Sequence, residues 1–381
     1  MIHTLTASMS RMNRLMLPVN LTKATRSMQN AMTGFMVESA FAPLAALKPK
    51  AAKPRKAAVP KVGRTLEIVV KQLRAAQSLM PGVNLGSTRR EVSPRIPKDA
   101  QYLARKHRSA AGSRGYKLYL PANQPKRLKG LILMLHGCNQ SPDDFAVGTH
   151  MNAQAEKHGL AIAYPAQTGG RNAASCWNWF KPGNQVRGTG EPAILAALTR
   201  KLMKEFGLGR DAVFVAGLSA GGAMAAILAD VYPDVFSAAG VHSGLARGAG
   251  RDVVSAMSAM RSGGTSEGAT PTVATPSDPV RRIIFHGEAD STVHPSNASM
   301  IVAAAVGGDA TPTKVSKRSV RGRGYARSEY AGSDGATLVE HWMIEGSGHA
   351  WSGGRAAGTY TDSKGPDASA HMIRFFLAKS A

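Results

Sequence analysis

Five residues in the middle of the chain, Gly217-Leu218-Ser219-Ala220-Gly221, constrain its fold more than any other feature. They follow a short apolar run at 212–216 and precede a stretch of small residues at 220–231. This pattern predicts a buried strand, a sharp turn that holds the serine in a strained conformation, and a helix. Larger side chains two positions to either side of the serine would collide with their surroundings. We therefore predict that Ser219 is a nucleophile held above the edge of a sheet.

Apolar runs and amphipathic segments alternate through the second part of the chain. Short apolar or alternating runs predict strands, and apolar residues repeated along one face predict helices. The predicted strands are 116–120, 131–135, 160–164, 212–216, 237–241, 281–285 and 338–344, and the predicted helices are 150–158, 191–206, 220–231 and 366–378. The alternation predicts an α/β fold with a mostly parallel sheet and helices on both faces. Residues 249–278, rich in Gly, Ser, Thr and Pro, are predicted to form a surface excursion.

The net charge of +24 is distributed unevenly along the sequence. Residues 1–130 contain 25 Lys and Arg against 4 Asp and Glu, a net of +21, whereas residues 131–381 contain 23 against 20. We therefore divide the chain into a basic, largely flexible N-terminal region, 1–108, and a folded domain, 109–381. Within the first region, residues 10–37 have the spacing of an amphipathic helix, and residues 42–64 form an Ala/Pro/Lys linker.

The basic region is compatible with a solvated linker or with an anchor for an anionic surface or a polymer granule. The alternative to an enzyme is therefore a protein whose main role is to bind such a surface through this region. Aromatic residues for base stacking are nearly absent from the region, so no specific nucleic acid is expected. No run of 18 apolar residues predicts a transmembrane segment. The first 30 residues lack the continuous apolar stretch of a secretory signal, and the compartment is left open.

Two further residues complete a candidate catalytic triad with Ser219. A serine hydroxyl needs an imidazole to accept its proton, and the imidazole needs a carboxylate to orient it. Asp290 follows one predicted strand and His349 follows another, in the chain order Ser, Asp, His that this kind of turn predicts. The residues that compete with them are Glu288 for the acid and His294, His341 and His371 for the base.

Acyl transfer also needs two N–H donors directed at the developing oxyanion. One is the amide of Ala220, the residue after the nucleophile. We assign the other to the amide of Cys138, in the loop after the strand at 131–135, with Asn139 as the alternative. Cys138 and Cys176 are too few for a disulfide framework, so they form either one disulfide or two thiols.

Aromatic and histidine side chains near these loops are the candidate substrate-binding residues. They are Trp177, Trp179, His294 and Trp351. Packing in the core is the alternative for the two indoles of the Trp177–Trp179 segment. The histidines lack the spacing of metal ligands and Cys-x-x-Cys is absent, so neither a metal nor a cofactor is expected.

Several longer segments resemble the poly(3-hydroxybutyrate) depolymerase-type esterases of the α/β-hydrolase superfamily. They are HGCNQSPDDF, CWNWFKPGNQVRGTGEP, VFVAGLSAGGAMAA, GVHSGL, FHGEADSTVHP and GHAWSGG, and the resemblance spans about 112–379. The resemblance implies an α/β-hydrolase fold, the triad Ser219, Asp290 and His349, and an oxyanion hole from the Cys138 and Ala220 amides.

The same resemblance implies a function. We expect a carboxylic ester hydrolase that forms an acyl-enzyme on hydroxyalkanoate polyesters or their oligomers. A feruloyl or acetyl esterase for acylated carbohydrates is the alternative. Members of the family are often extracellular, whereas the absence of a recognisable signal peptide indicates the cytoplasm. No separate C-terminal substrate-binding domain is recognised, which disfavours attack on crystalline polymer.

Overall fold

Short apolar segments form the central strands, because a strand covered on both faces must be apolar along its whole length. A computed structural model describes residues 92–378 except for 123–126, 168, 169, 171, 173, 264–278, 309 and 310. The predictions for residues 10–37 and 42–64 lie outside the described residues. All of the described residues belong to one compact unit.

Ten strands make up the main sheet within the described part of the chain. They are β1 (Gln101–Ser109), β2 (Gly112–Leu120), β3 (Gly130–Leu135), β4 (Leu160–Pro165), β5 (Val213–Leu218), β6 (Ala238–His242), β7 (Arg281–Gly287), β8 (Lys314–Val320), β9 (Arg323–Ala331) and β10 (Thr337–Ile344). A separate parallel pair consists of β11 (Trp351–Ser352) and β12 (Thr361–Asp362).

The helices are α1 (Pro142–Thr149), α2 (Met151–His158), α3 (Gly190–Phe206), α4 (Ala220–Val231), α5 (Val253–Ser262), α6 (Ser296–Val306) and α7 (Ala368–Leu377). Three of these helices, α1, α5 and α7, begin at a side-chain N-cap. The Ser141 hydroxyl accepts a hydrogen bond from the Asp144 amide at the start of α1, and the Asp367 carboxylate accepts one from the Ala370 amide at the start of α7.

The sheet has the order β1-β2-β4-β3-β5-β6-β7-β10-β9-β8. Its six central strands, β4, β3, β5, β6, β7 and β10, run parallel, and antiparallel strands flank them on both sides. The predicted α/β architecture with a mostly parallel sheet is confirmed. Because parallel strands end at the same edge, the loops after β3, β5, β6, β7 and β10 meet there.

Alternate side chains of each central strand enter two different core layers. In β5, Val213 and Val215 pack on the face covered by α3 and α4, whereas Phe214 and Ala216 pack on the face covered by α1, α2 and α7. All four side chains are at most 1% exposed. Burial on both faces holds the parallel strands, and therefore their ends, in a fixed arrangement.

The position of β1 differs from the domain boundary that the charge distribution predicts. β1 pairs along its whole length with β2, from Gln101 opposite Leu120 to Ser109 opposite Gly112. The boundary at 108 is therefore misplaced, since the sheet already begins at Gln101. This edge strand is polar and mostly not buried, so it lacks the apolar run by which the inner strands are recognised.

The hairpin of β8 and β9 has no counterpart among the predictions for the same reason, since no residue of either strand is buried. Helices α1 and α6 have no predicted counterpart either. The predicted surface excursion at 249–278 contains α5, which begins at a capping box formed by Asp252 and Ser255. None of the helices in the described ranges is long and apolar enough to cross a bilayer.

Candidate active site

Ser219 lies at the tight turn between β5 and α4. Its backbone has φ 57° and ψ −121°, a conformation that is strained for any residue with a Cβ. A Cβ at Gly217 would collide with the carbonyl of Gly221, so only a glycine fits at this position. The Ser219 amide donates to the carbonyl of His242 at the end of β6 (2.9 Å), which fixes the turn to the neighbouring strand.

The second glycine of the motif brings the nucleophile close to the loop after β3. A Cβ at Gly221 would collide with the carbonyl oxygen of Leu135 and would lie 2.6 Å from that of His136. The first turn of α4 therefore touches the point where β3 gives way to its loop. The amide of Ala220, at the start of α4, and the loop that contains Cys138 are thus held at one place.

Asp290 and His349 form a hydrogen-bonded pair on the same edge of the sheet. His349 Nδ1 donates to Asp290 Oδ2 at 2.7 Å. Asp290 Oδ1 accepts from the amides of Thr292 and Val293, each at 2.9 Å, so the carboxylate is held by the turn in which it lies. The Ala289 amide donates to the Ser347 carbonyl (2.9 Å) and joins the acid loop to the histidine loop.

The carboxylate of Asp290 is ionised, because its pKa is lowered. Its burial would raise that pKa, but the hydrogen bond and charge of His349 and the amide of Val293 together outweigh burial. An ionised Asp290 keeps the proton of His349 on Nδ1 and leaves Nε2 to accept a proton. The His349 side chain is 11% exposed and that of Asp290 is fully buried, so the imidazole is the member of the pair that solvent reaches.

Ser219 lies at the end of β5, Asp290 after β7 and His349 after β10, on neighbouring parallel strands of one sheet. The order β5-β6-β7-β10 leaves only β6 between the nucleophile and the acid. Within the described residues, the Ser219 hydroxyl makes no hydrogen bond to the imidazole. Hydrogen bonds of this kind are often long before substrate binds.

The residues that compete for the acid and base roles lie elsewhere. Glu288 is exposed, and its carboxylate accepts from the Gly346 amide (3.4 Å). The exposed His294 is hydrogen-bonded through Nδ1 to the Ser296 hydroxyl at 2.8 Å. His341 lies within β10, and the ring of His371 packs at 4.3 Å from that of Trp342. None of these four groups contacts the Asp290–His349 pair through a hydrogen bond in the described structure.

The loop after β3 distinguishes between the two candidates for the second oxyanion donor. The Asn139 amide already donates to the Ala174 carbonyl at 2.7 Å, so this alternative is engaged. Cys138 is half-buried, and its side chain forms a disulfide with Cys176. The Cys138 amide therefore remains our candidate donor beside that of Ala220.

The buried side chain of Gln140 holds this loop in place through hydrogen bonds. Its Oε1 accepts from the Gly137 amide at 2.8 Å, and its Nε2 donates to Asp144 Oδ2 at 3.1 Å and to the Thr359 carbonyl at 3.0 Å. The Trp177 indole N–H donates to the His136 carbonyl at 3.0 Å. The loop after β3 is thus fixed to α1 and to the segment before β12.

Three of the four candidate substrate-binding residues belong to the core instead. Trp177 is 0% exposed, Trp179 5% and Trp351 1%. The ring of Trp351 stacks on His242 at 5.1 Å, and its indole N–H donates to the Ser369 hydroxyl. Burial of their apolar surface explains these indoles without a substrate. His294 is at the surface, and its contact with substrate stays a prediction.

Two buried histidines, His242 and His286, support the site although they are not among the predicted site residues. His242 Nε2 accepts from the Ser352 amide at 3.0 Å. This ring therefore joins β6, whose His242 carbonyl accepts from the Ser219 amide, to β11, which follows His349. His286 Nε2 donates to the Val293 carbonyl at 2.8 Å and lies 3.5 Å from Asp290 Oδ2. Both lie within segments that carry the family resemblance, GVHSGL and FHGEADSTVHP, which is the available sequence signal.

Burial dominates the protonation of His242. Loss of solvation lowers its pKa to about 3, and the nearby His286 and His349 act in the same direction. The ring is therefore neutral. Because Nε2 accepts the Ser352 amide, the proton lies on Nδ1, which faces the Ser243 hydroxyl at 3.3 Å.

Comparisons with known proteins found depolymerases and esterases that are similar to this chain. Residues 114–313 match the family described as esterase PHB depolymerase. The poly(3-hydroxyalkanoate) depolymerase C of Paucimonas lemoignei is 31% identical over 245 residues, 60% of this chain and 56% of that protein. The probable acetylxylan esterase A of Aspergillus clavatus is 29% identical over 199 residues, 48% of this chain and 62% of that protein. This chain therefore spans less than two thirds of either relative.

A solved structure supports the fold. The acetyl xylan esterase from Aspergillus awamori superposes with a TM-score of 0.54 at 21% sequence identity, covering 66% of this chain and 93% of that one. The predicted α/β-hydrolase fold is confirmed.

Proposed function

Because this chain belongs to the esterase PHB depolymerase family, we propose that it hydrolyses carboxylic esters by way of a serine acyl-enzyme. The observation that carries the proposal is the placement of a strained Ser219 and a hydrogen-bonded Asp290–His349 pair on one edge of a parallel sheet. Such a serine, histidine and carboxylate arrangement performs acyl transfer on several unrelated folds.

In the first half of the reaction, Ser219 Oγ attacks the ester carbonyl carbon while His349 Nε2 accepts the hydroxyl proton. The carbonyl oxygen becomes an oxyanion, and the amides of Cys138 and Ala220 stabilise it. Loss of one such donor typically costs about 3–4 kcal/mol of transition-state stabilisation. The imidazolium then gives its proton to the oxygen of the leaving alcohol as the ester C–O bond breaks.

In the second half, water replaces the alcohol. His349 accepts a proton from the water, whose oxygen attacks the acyl carbon, and then returns the proton to Ser219 as the acid is released. Asp290 stays ionised throughout and stabilises the imidazolium in both steps. The residues present account for every proton transfer in this scheme.

We propose hydroxyalkanoate polyesters or their oligomers as substrates. The family of the chain and its similarity to the Paucimonas lemoignei depolymerase support this choice. An esterase for acetylated or feruloylated carbohydrates is the second candidate, because similarity to an acetylxylan esterase extends over 48% of the chain.

A substrate panel tests both candidates. The rates of acid release from 3-hydroxybutyrate oligomers, amorphous polyester, acetylated xylan and a feruloyl ester are compared for the wild-type protein and Ser219→Ala. We expect the highest rate on the oligomers and a loss of about 10⁵-fold or more in the variant. Higher rates on the carbohydrate esters would favour the second candidate, and equal rates for the two proteins would contradict the mechanism.

We also propose that the basic N-terminal region acts as a linker or as an anchor on an anionic or polymer surface. Residues 1–130 carry a net charge of +21, which supports electrostatic attachment. A truncation of residues 1–91 ends before β1 and leaves the sheet intact. Hydrolysis of a soluble ester should persist, and loss of co-sedimentation with polymer particles would separate an anchor from a linker.

An oxidising compartment, such as the extracellular space, is the location that we propose. The Cys138–Cys176 disulfide supports it, because such bonds persist in oxidising compartments. Mass spectrometry of protein isolated with its thiols blocked should show two hydrogens fewer than the reduced chain. Two alkylated cysteines would contradict the proposal.

A further inference from the structure

Tyr360 lies beside the catalytic imidazole, although no sequence motif singles it out. Its ring centroid is 6.4 Å from that of His349, and the two planes meet at 81°. The residue precedes β12, in the short segment that connects β11 to β12. It is 36% exposed, whereas Trp177, Trp179 and Trp351 near the site are at most 5% exposed. A partly exposed aromatic ring thus lies beside the imidazole.

The backbone of Tyr360 is held in a conformation that a tyrosine rarely adopts. Its φ is 52°, in the left-handed region that favours glycine. The Trp351 amide donates to the Tyr360 carbonyl at 2.7 Å. The preceding residue, Thr359, is anchored by Asp144, which accepts from its amide (3.0 Å) and from its hydroxyl (2.5 Å). Tertiary contacts therefore impose this conformation.

Stability alone does not explain a tyrosine here. A glycine would adopt the same φ without strain, whereas the tyrosine leaves 36% of its surface exposed to solvent. Residues in strained backbone conformations cluster at active sites and ligand-binding positions, and Tyr360 lies beside the catalytic imidazole. Gln140, which supports the oxyanion loop, also donates to the Thr359 carbonyl (3.0 Å), so the ring is positioned relative to that loop.

The role of His349 in proton transfer indicates which part of the substrate lies near the Tyr360 ring. His349 Nδ1 is occupied by Asp290, so Nε2 must give the proton to the leaving alcohol. The alcohol oxygen then lies within about 3 Å of Nε2. The carbon atoms attached to that oxygen must occupy the space around the imidazole, and the Tyr360 ring borders this space.

Building on the proposed ester hydrolysis, we propose that Tyr360 is a specificity-determining residue whose ring forms a wall of the leaving-alcohol subsite. The ring favours alcohols with an apolar aliphatic or aromatic body over small ones such as ethanol. In a polyhydroxyalkanoate the leaving alcohol is the next hydroxyacyl unit, whose branched carbon chain fits against an aromatic face.

The test varies the alcohol while the acyl group stays constant. kcat/KM is measured for ethyl, hexyl and benzyl butyrate with the wild-type protein, Tyr360→Gly and Tyr360→Phe. For these esters kcat/KM covers every step up to acyl-enzyme formation, which includes the departure of the alcohol. We expect Tyr360→Gly to lower the benzyl-to-ethyl ratio about tenfold, as one lost apolar contact in a pocket does.

Tyr360→Phe is the matched control, because it removes the hydroxyl and keeps the ring, and it should retain the wild-type ratio. Tyr360→Gly is compatible with the observed φ, so it should fold, which circular dichroism checks. A second series, ethyl acetate to ethyl hexanoate, varies the acyl chain and should give the same order in all three proteins.

The outcomes separate this proposal from the proposed function. An unchanged alcohol preference in Tyr360→Gly would overturn the role of the ring, even with full ester hydrolysis. A change confined to the acyl series would place the ring on the acyl side and would overturn the alcohol assignment. Failure of the proposed function looks different, since the wild-type protein would then hydrolyse no ester faster than Ser219→Ala.

Discussion

Ser219 and Tyr360 both have a backbone conformation that disfavours side chains, but the two residues are held in it by different means. At Ser219 (φ 57°) the strain is built by neighbours in sequence, because Gly217 and Gly221 allow the strand and the helix to meet at a tight turn. At Tyr360 (φ 52°) the anchor is Asp144, more than 200 residues earlier in the chain, which binds Thr359.

The difference shows that residues of one site can be positioned either by a local sequence motif or by long-range contacts. The nucleophile depends on a tight turn that a short sequence motif encodes. The ring beside the imidazole depends on a long-range hydrogen bond, which leaves no local pattern. We therefore expect that changes at the turn will affect the chemical step, and that changes at the Asp144 anchor will affect mainly substrate preference.

The largest effect is expected from a methyl group at the turn. Gly221→Ala places a Cβ against the Leu135 carbonyl, which must displace either the nucleophile or the oxyanion loop. A misplacement of about 1 Å can cost roughly 100-fold in rate, so kcat should fall at least that far. Gly115→Ala is the matched control, since a Cβ there meets nothing within 4 Å and activity should be unchanged. Equal activity of both variants would show that the turn tolerates bulk.

Acid should weaken the interior behind the turn, because His242 is buried there in its neutral form. Unfolded histidine binds a proton near pH 6.5, whereas buried His242 does not until about pH 3. Over this window the unfolded state binds more protons, so the free energy of unfolding falls as pH falls, by roughly 1.4 kcal/mol per unit for this group.

Urea unfolding at several pH values between about 7 and 4 measures this slope. His242→Gln removes the titrating ring and retains an acceptor for the Ser352 amide. For this variant, the slope of the free energy of unfolding against pH should be smaller by the contribution of about one proton, roughly 1.4 kcal/mol per pH unit. The same slope in both proteins would mean that His242 does not cause the pH dependence.

A smaller effect is expected from loosening the anchor of Tyr360. Asp144→Ala removes the acceptor of the Thr359 amide and hydroxyl and of Gln140 Nε2. Leaving a buried donor without a partner costs about 1–3 kcal/mol of stability. Because the Tyr360 ring is then no longer held in place, kcat/KM for benzyl butyrate should fall by up to about tenfold, as for one lost apolar contact. Thr359→Val keeps the backbone hydrogen bond and removes the hydroxyl, so its loss should be smaller. An equal loss on ethyl butyrate in Asp144→Ala would indicate damage to the oxyanion loop instead.

The smallest effect is the release of strain itself. Ser219→Gly replaces a residue at positive φ by the one that tolerates it and should raise the free energy of unfolding by about 0.5–1 kcal/mol. Tyr360→Gly releases similar strain but also removes a ring that is only 36% exposed, so its gain should be smaller. Chemical denaturation at pH 7 measures both. A decrease at Tyr360 would mean that its ring stabilises the fold, which would weaken the contrast between the two sites.

Much of the site could be predicted because its signals are local. Ser219, Asp290 and His349 each follow a recognisable apolar strand, and the structure brings Asp290 and His349 into contact. The sequence left open whether Trp177 and Trp179 bind substrate or pack in the core, and it indicated Trp351 as a candidate substrate contact, because an aromatic residue near a loop gives no indication of whether the loop turns it inward. All three indoles are buried, as the core of a large sheet requires.

The sequence by itself determined the alternating strands and helices, the turn at Ser219 and the uneven charge. These features depend on the periodicity, size and charge of residues close together in the chain. Only the tertiary structure decided that β1 belongs to the sheet, that His242 joins β6 to β11 and that Tyr360 lies beside His349. Each of these depends on partners distant in the chain, and such contacts arise from packing in three dimensions.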